Sequence, residues 1–193
     1  MIDPTKITNY YLTIPQLQEM ILFWVCAAGK NGITSARCLD KLLNSCQHAV
    51  SKNYTPFQTI EFIAKNKNLA SEMQKCGIGC FNNKSKTFIS LIQSNLDLKK
   101  CSVSELEAIP GIGPKTARCF LIHTRKNQNY AGLDTHVLKF LRDKGHVVPK
   151  STPVGKKYLE LEQIFLRYAQ ISGKSVSEFD LEIWNYYRAK KTA

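Results

Sequence analysis

The stretch ELEAIPGIGPKTARCFL, residues 105–121, decides the fold of this 193-residue chain. Leu106 and Ile109 give a short helix one apolar side. Pro110-Gly111-Ile112-Gly113 then stops it, because proline removes an amide donor and glycine admits positive φ. Pro114 suits the first position of a new helix, where a missing N–H breaks no bond. Ala117, Phe120, Leu121 and Thr124 continue a three/four spacing, so the stretch predicts two short helices joined by a glycine hairpin. Hairpin amides bare of side chains at Gly111 and Gly113, beside the positive end of a helix dipole, make a cradle for a phosphate oxygen. An ordinary αα-turn shares the Gly-x-Gly pattern, so the cradle depends on the residues around it.

Nineteen residues after Lys115 comes Asp134, in GLDTH at 132–136. A lysine just inside a helix loses its proton more readily when desolvated and flanked by positive charge, and the neutral amine is a nucleophile. Asp134 precedes the helical pattern THVLKFLRD. An N-cap role there fixes it in place while its charge stabilises a developing cation. Taken singly, Lys115 as a phosphate-binding lysine and Asp134 as a purely structural cap are the alternatives.

Hairpin, lysine and aspartate, in that order, resemble the helix-hairpin-helix DNA glycosylase superfamily, which includes endonuclease III, the adenine glycosylases and the 8-oxoguanine glycosylases. The resemblance implies a Schiff-base lysine at Lys115, a catalytic carboxylate at Asp134, and an N-glycosylase with an associated strand-cleaving lyase activity. It also implies an all-α, two-lobed fold holding the lesion in a cleft, with residues about 29–136 forming the hairpin lobe and about 1–28 plus 137–193 the other. A monovalent cation, potassium or sodium, held by the backbone carbonyls of Ile109 and Ile112 is a further family feature.

Gly77-Ile78-Gly79-Cys80-Phe81-Asn82-Asn83-Lys84-Ser85-Lys86 resembles the superfamily segment that faces the lesion and wedges a side chain into the duplex. An unstacked base needs a new apolar partner, and Phe81 supplies an aromatic face, with Cys80 as a second wedge candidate and Lys84 and Lys86 for phosphate. Phe81 as a core aromatic beside a loop is the alternative. Asn31, in AGKNGITSA, is either a group that fills the space of a flipped base or part of an ordinary Asn-Gly turn.

FDLEIWNYYRAKKTA, residues 179–193, resembles the ending of the short 8-oxoguanine glycosylases of archaea and some bacteria. By that resemblance Trp184 and an aromatic of the other lobe sandwich the oxidised base, and Asp180, on the same DLxxW-like helix, belongs to the base-recognition group. The terminal carboxylate of Ala193 then faces the Watson–Crick edge, whose N1–H and amino group are donors that suit a carboxylate. The group's usual terminal lysine is alanine here, and its Asp-Arg-His is Asp-Thr-His, closer to endonuclease III. Plain core packing for Trp184 and helix capping for Asp180 stay open.

Composition agrees. Lys and Arg number 27 against 15 Asp and Glu, a formal charge of +12 that attracts polyanions in a salt-dependent way. The longest apolar run, Met20 to Ala28, is too short for a bilayer and is not a signal sequence, so an intracellular, DNA-associated protein is expected, in the cytoplasm or nucleoid of a prokaryote. Seven dispersed cysteines form no CxxC pair, and none follows Cys119, where endonuclease III carries four for an iron–sulfur cluster. No such cluster and no required cofactor is expected. Cys76 and Cys80 lack the further ligands zinc demands. The histidines form no triad, and KYLELEQIFLRYAQ, residues 157–170, has the spacing of a core helix.

Helices are predicted at about 14–28, 33–45, 56–66, 69–76, 83–95, 103–109, 114–125, 135–144, 153–170 and 176–188. The sequence therefore points to a bifunctional glycosylase and AP lyase. It would excise an oxidised base, 8-oxoguanine first, from damaged double-stranded DNA as a monomer, through a lysine Schiff base and β-elimination. An endonuclease III-like pyrimidine enzyme without the cluster is the nearest alternative, and a noncatalytic DNA-binding module the alternative of another class.

Overall fold

A computed structural model describes residues 1–46 and 54–190. Ala193 and its carboxylate lie outside the described residues. These residues form ten α-helices: α1 (Ile14–Ala27), α2 (Gly32–Asn44), α3 (Pro56–Asn66), α4 (Leu69–Lys75), α5 (Phe81–Gln93), α6 (Val103–Glu107), α7 (Pro114–Thr124), α8 (Thr135–Asp143), α9 (Gly155–Ile171) and α10 (Val176–Ala189). No strand occurs among the described residues, and no helix among them is long and apolar enough to cross a membrane.

Helix starts are written in the sequence as Ser/Thr-x-x-Glu/Gln boxes. At α3, α6 and α10 the pairs Thr55/Gln58, Ser102/Glu105 and Ser175/Glu178 each satisfy two amides that a helix start leaves without partners. α5 begins two residues earlier than its apolar spacing suggests, since Cys80 takes up a left-handed conformation (φ 53°) and turns the chain directly into Phe81. α6 ends at Glu107 rather than 109, because Ile109 already belongs to the turn and donates its amide to Leu106 O at 3.1 Å.

The chain divides into two compact units. Unit 1 comprises Met1–Pro4 and Tyr11–Gly113, and unit 2 comprises Thr5–Tyr10 and Pro114–Ala193. The division therefore falls at Gly113–Pro114, not near residues 28 and 136 as the resemblance implied. The reason is packing: α1 lies against α2, α3 and α5 inside unit 1, and α7 lies against α10 inside unit 2.

In unit 1, α1 buries every residue from Met20 to Ala27 among Leu39, Leu42, Ile60, Ile63, Met73 and Phe88, which are all buried. In unit 2, Val137, Leu138, Phe140 and Leu141 of α8 share a core with Tyr158, Leu161 and Phe165 of α9 and Phe179, Ile183 and Tyr187 of α10. Phe140 stands edge-on to Phe165, Tyr168 and Phe179 at 5.2–6.1 Å between centroids, an arrangement favoured by the ring quadrupole. Thr5–Tyr10 is tied into unit 2 by Thr8 Oγ1 to His123 Nδ1 at 2.8 Å, Asn9 N to His123 O at 2.9 Å, and Tyr10 Oη to Ser177 Oγ at 2.6 Å.

Candidate functional site

The hairpin closes with Ile112 N donating to Ile109 O at 3.0 Å, and Gly111 holds φ +90°. Its two glycines differ in kind. A Cβ on Gly111 would collide with the Thr87 side chain of α5, whereas a Cβ on Gly113 would meet nothing within 4 Å. Gly111 is thus demanded by packing and by its φ, and Gly113 leaves its backbone open. Ile109 O keeps a second lone pair beyond the turn bond, so the carbonyl is compatible with a monovalent cation.

Pro114 and Lys115 open α7 in unit 2, and Lys115 is half-buried. Asp134 is half-buried too, and it is the N-cap of α8: its Oδ1 accepts from His136 N and Val137 N, both at 2.8 Å. Burial pushes the Asp134 carboxyl above the ordinary aspartate value. The positive charge of Lys115 opposes that rise, and the negative charge of Asp180 adds to it. Unit 2 therefore brings the lysine and the carboxylate within electrostatic reach of each other, in surroundings that penalise charge.

Asp180 is not a helix cap. The N-cap of α10 is Ser175, and the buried Asp180 lies in the next turn with Oδ2 3.2 Å from His123 Nε2. Since His123 Nδ1 faces Thr8, the imidazole links the N-terminal segment to α10 inside unit 2. Trp184, one turn beyond Asp180, is half-buried. It meets the His136 ring edge-to-face at 6.1 Å, and the Arg188 guanidinium lies 5.2 Å from its centroid. His136 thus lends its amide to Asp134 and its ring to Trp184.

In unit 1, Phe81 is half-buried at the start of α5, Cys80 is exposed, and Lys86 is exposed on α5. Lys84 corrects the sequence expectation. It is buried, and its ammonium donates to Cys26 O at 2.7 Å and Ala28 O at 3.0 Å, carbonyls at the end of α1 where the helix dipole is negative. A side chain so placed braces α1 and does not reach a phosphate. Asn31 is the exposed N-cap of α2, its Oδ1 accepting from Ile33 N at 2.9 Å and Thr34 N at 3.2 Å, which is the local-turn alternative. All seven cysteines are free thiols, and among the described residues no group of three or more His, Cys, Asp and Glu is placed to hold a metal.

One buried polar cluster belongs to no recognisable motif. α9, whose spacing is that of a core helix, carries Tyr158 and Glu162 one turn apart, both buried, with Glu162 paired to Arg118 at 2.8 Å. A glutamate falling on the apolar stripe between Tyr158 and Phe165 was the available signal.

Two helices joined by a glycine hairpin form a helix-hairpin-helix, and the family model described as the helix-hairpin-helix motif matches residues 96–123. Over 82 residues the chain is 38% identical to the 8-oxoguanine DNA glycosylase/AP lyase of Thermotoga sp. (strain RQ2), covering 42% of this chain and 39% of that protein. Over 79 residues it is 32% identical to the protein of the same name from Picrophilus torridus, covering 41% and 37%. The match thus spans about two fifths of the curated relatives' length.

Its fold is similar to the crystal structure of the 8-oxoguanine DNA glycosylase of Thermotoga maritima, with a TM-score of 0.67 at 23% identity over 88% of this chain and 78% of that one. It is equally similar to the Methanocaldococcus jannaschii 8-oxoguanine glycosylase/lyase solved with DNA containing 8-oxoguanine, at 0.67 and 19% identity over 91% and 82%. The all-α fold of the described residues is thus similar to that of solved 8-oxoguanine glycosylases.

Proposed function

We propose that this protein is a bifunctional DNA glycosylase and AP lyase that removes 8-oxoguanine from double-stranded DNA. The observation that carries it is that Lys115, directly after the hairpin of the matched motif, and a capped, half-buried Asp134 lie in the same unit, near enough for the lysine's charge to act on the carboxyl. The named relatives and the fold point to the same substrate.

The hairpin amides hold the DNA backbone without regard to sequence, and Lys86 adds a phosphate contact. The neutral Lys115 amine attacks C1′ of the damaged nucleotide as the C1′–N bond breaks, and the base leaves with a proton. Asp134, ionised, stabilises the positive charge that develops on the sugar. The C1′–O4′ bond of the adduct then opens, O4′ taking up a proton as the nitrogen lone pair forms the C1′=N bond of the Schiff base. A C2′ proton is then removed and the 3′-phosphate departs, which cuts the strand. Trp184 stacks on the extruded base, Phe81 meets unstacked bases beside the lesion, and Cys80 lies next to it as a wedge. A potassium or sodium ion on the Ile109 and Ile112 carbonyls would stiffen the turn. The protein acts as a monomer on this scheme.

Incubation with duplexes that each carry one lesion, followed by borohydride, tests it. 8-Oxoguanine release with a covalent adduct is expected, and Lys115→Gln should lose the adduct while keeping duplex affinity within about threefold. Excision of oxidised pyrimidines alone would move the substrate assignment. An undiminished adduct in Lys115→Gln would move the nucleophile.

A further inference from the structure

Residues 131–134 reach Asp134 through a tight turn, in which Asp134 N donates to Gly132 O at 2.6 Å. Gly132 lies against Cys119 of α7 so closely that no Cβ would fit, which seats the turn on that helix. Polar groups hold the peptide on both sides of Gly132. The Tyr158 hydroxyl donates to Ala131 O at 2.7 Å and accepts from Leu133 N at 3.1 Å. One oxygen of Glu162 accepts from Ala131 N and from Arg118 Nε, both at 2.8 Å, and the Arg118 guanidinium lies over the Tyr158 ring at 4.7 Å from its centroid.

Tyr158, Glu162 and Arg118 are 1%, 3% and 7% exposed, so water does not compete for these bonds. A buried ion pair of this kind is a poor source of net stability, and a loop of four residues needs no such scaffold merely to close. What the cluster fixes is the position of Ala131, Leu133 and, through the turn, the carboxylate that follows.

We propose that Tyr158, Glu162 and Arg118 are positioning residues for Asp134, locking the Ala131–Asp134 turn so that the carboxylate stands where charge develops on the sugar. This role rests on Asp134 acting in base release, where a displacement on the order of 1 Å lowers the rate about 100-fold. Attack of Lys115 on an abasic site needs far less of it, since the aldehyde is already present and no base has to leave.

The test compares Tyr158→Phe, Glu162→Ala and Glu162→Gln in single-turnover excision of 8-oxoguanine and in borohydride trapping on a preformed abasic duplex. Circular dichroism gives the folded fraction. Tyr158→Phe is expected to slow excision about 10- to 100-fold while trapping changes less than about threefold. Equal losses in both assays, tracking the folded fraction, or unchanged excision would overturn the role. If Tyr158→Phe does not fold, the Glu162 pair decides. Glu162→Gln keeps an acceptor for Ala131 N and should recover most of the excision lost in Glu162→Ala, whereas equal loss in the two overturns it.

A carbon-13 NMR titration of the Asp134 carboxyl is independent of activity. The charged groups facing it, Lys115 on α7, Asp180 on α10 and His136 on α8, are unchanged in Tyr158→Phe. A loosened, wetter turn should lower the Asp134 midpoint toward the ordinary aspartate value, and an identical midpoint overturns the role. A wild-type protein that releases no lesion would sink the glycosylase assignment alone, and the titration would still decide this one.

Discussion

At Asp134, capping and burial pull in opposite directions: two amides favour the carboxylate, while desolvation raises its pKa. A raised folded pKa means that the folded state holds its proton to higher pH than the unfolded chain does. Stability is therefore lost as pH climbs from the ordinary aspartate range through the raised value, and the loss is complete above it. Asparagine caps a helix about as well as aspartate and carries no charge. Asp134→Asn is expected to melt above wild type at pH 7, by roughly 2–4 °C per kcal/mol of relieved desolvation, and to match it below about pH 4. Base excision should meanwhile fall on the order of 100-fold. Melting curves across this pH range check the sign, and a variant less stable at neutral pH would show that the Lys115 charge outweighs burial.

The places of Lys115 and Asp134 were legible because a helix start and a helix cap are local motifs. Lys84 was misread because sequence resemblance is blind to which way a helix face turns. Lys84 and Lys86 stand two residues apart, nearly opposite on a helix, and only Lys84 shares the stripe of Phe88 and Leu91. That stripe was present in the sequence and would have placed Lys84 inside.

Among the elements, the hairpin separates two uses of glycine. Gly111→Ala would force a side chain into positive φ and against Thr87 of α5, so thermal stability and duplex affinity should drop together. Gly113→Val should leave the melting temperature within about 2 °C, since open space surrounds it, yet weaken binding to undamaged and lesion duplexes alike by blocking a phosphate. Melting together with affinity on both duplexes separates the cases, and a Gly113→Val protein that binds normally would place the phosphate elsewhere. The helix starts were readable to within a residue or two wherever a capping box marks them. α5 and α9, which have no such box, each start two residues from the expected position, and at α5 a cysteine takes the left-handed turn usually left to glycine or asparagine, a conformation no propensity announces.

Over the whole molecule, the excess of positive charge and the helical content were plain from composition and spacing. The limits of the two units were not, because the boundary at Gly113–Pro114 runs through the middle of the most recognisable motif. Unit 2 is also discontinuous in the chain, since Thr5–Tyr10 belongs to it with Thr8 on His123 and Tyr10 on Ser177. A gene fragment encoding residues 114–193 would therefore yield a polypeptide with a wound where that segment should lie, leaving the Asp180 side of His123 satisfied and its Thr8 side bare. Supplied in trans, a synthetic peptide of residues 1–12 should mend it, raising amide protection along α7 and α10 in a saturable way. A fragment equally protected without the peptide would mean that this short stretch is a passenger in unit 2, not a part of its architecture.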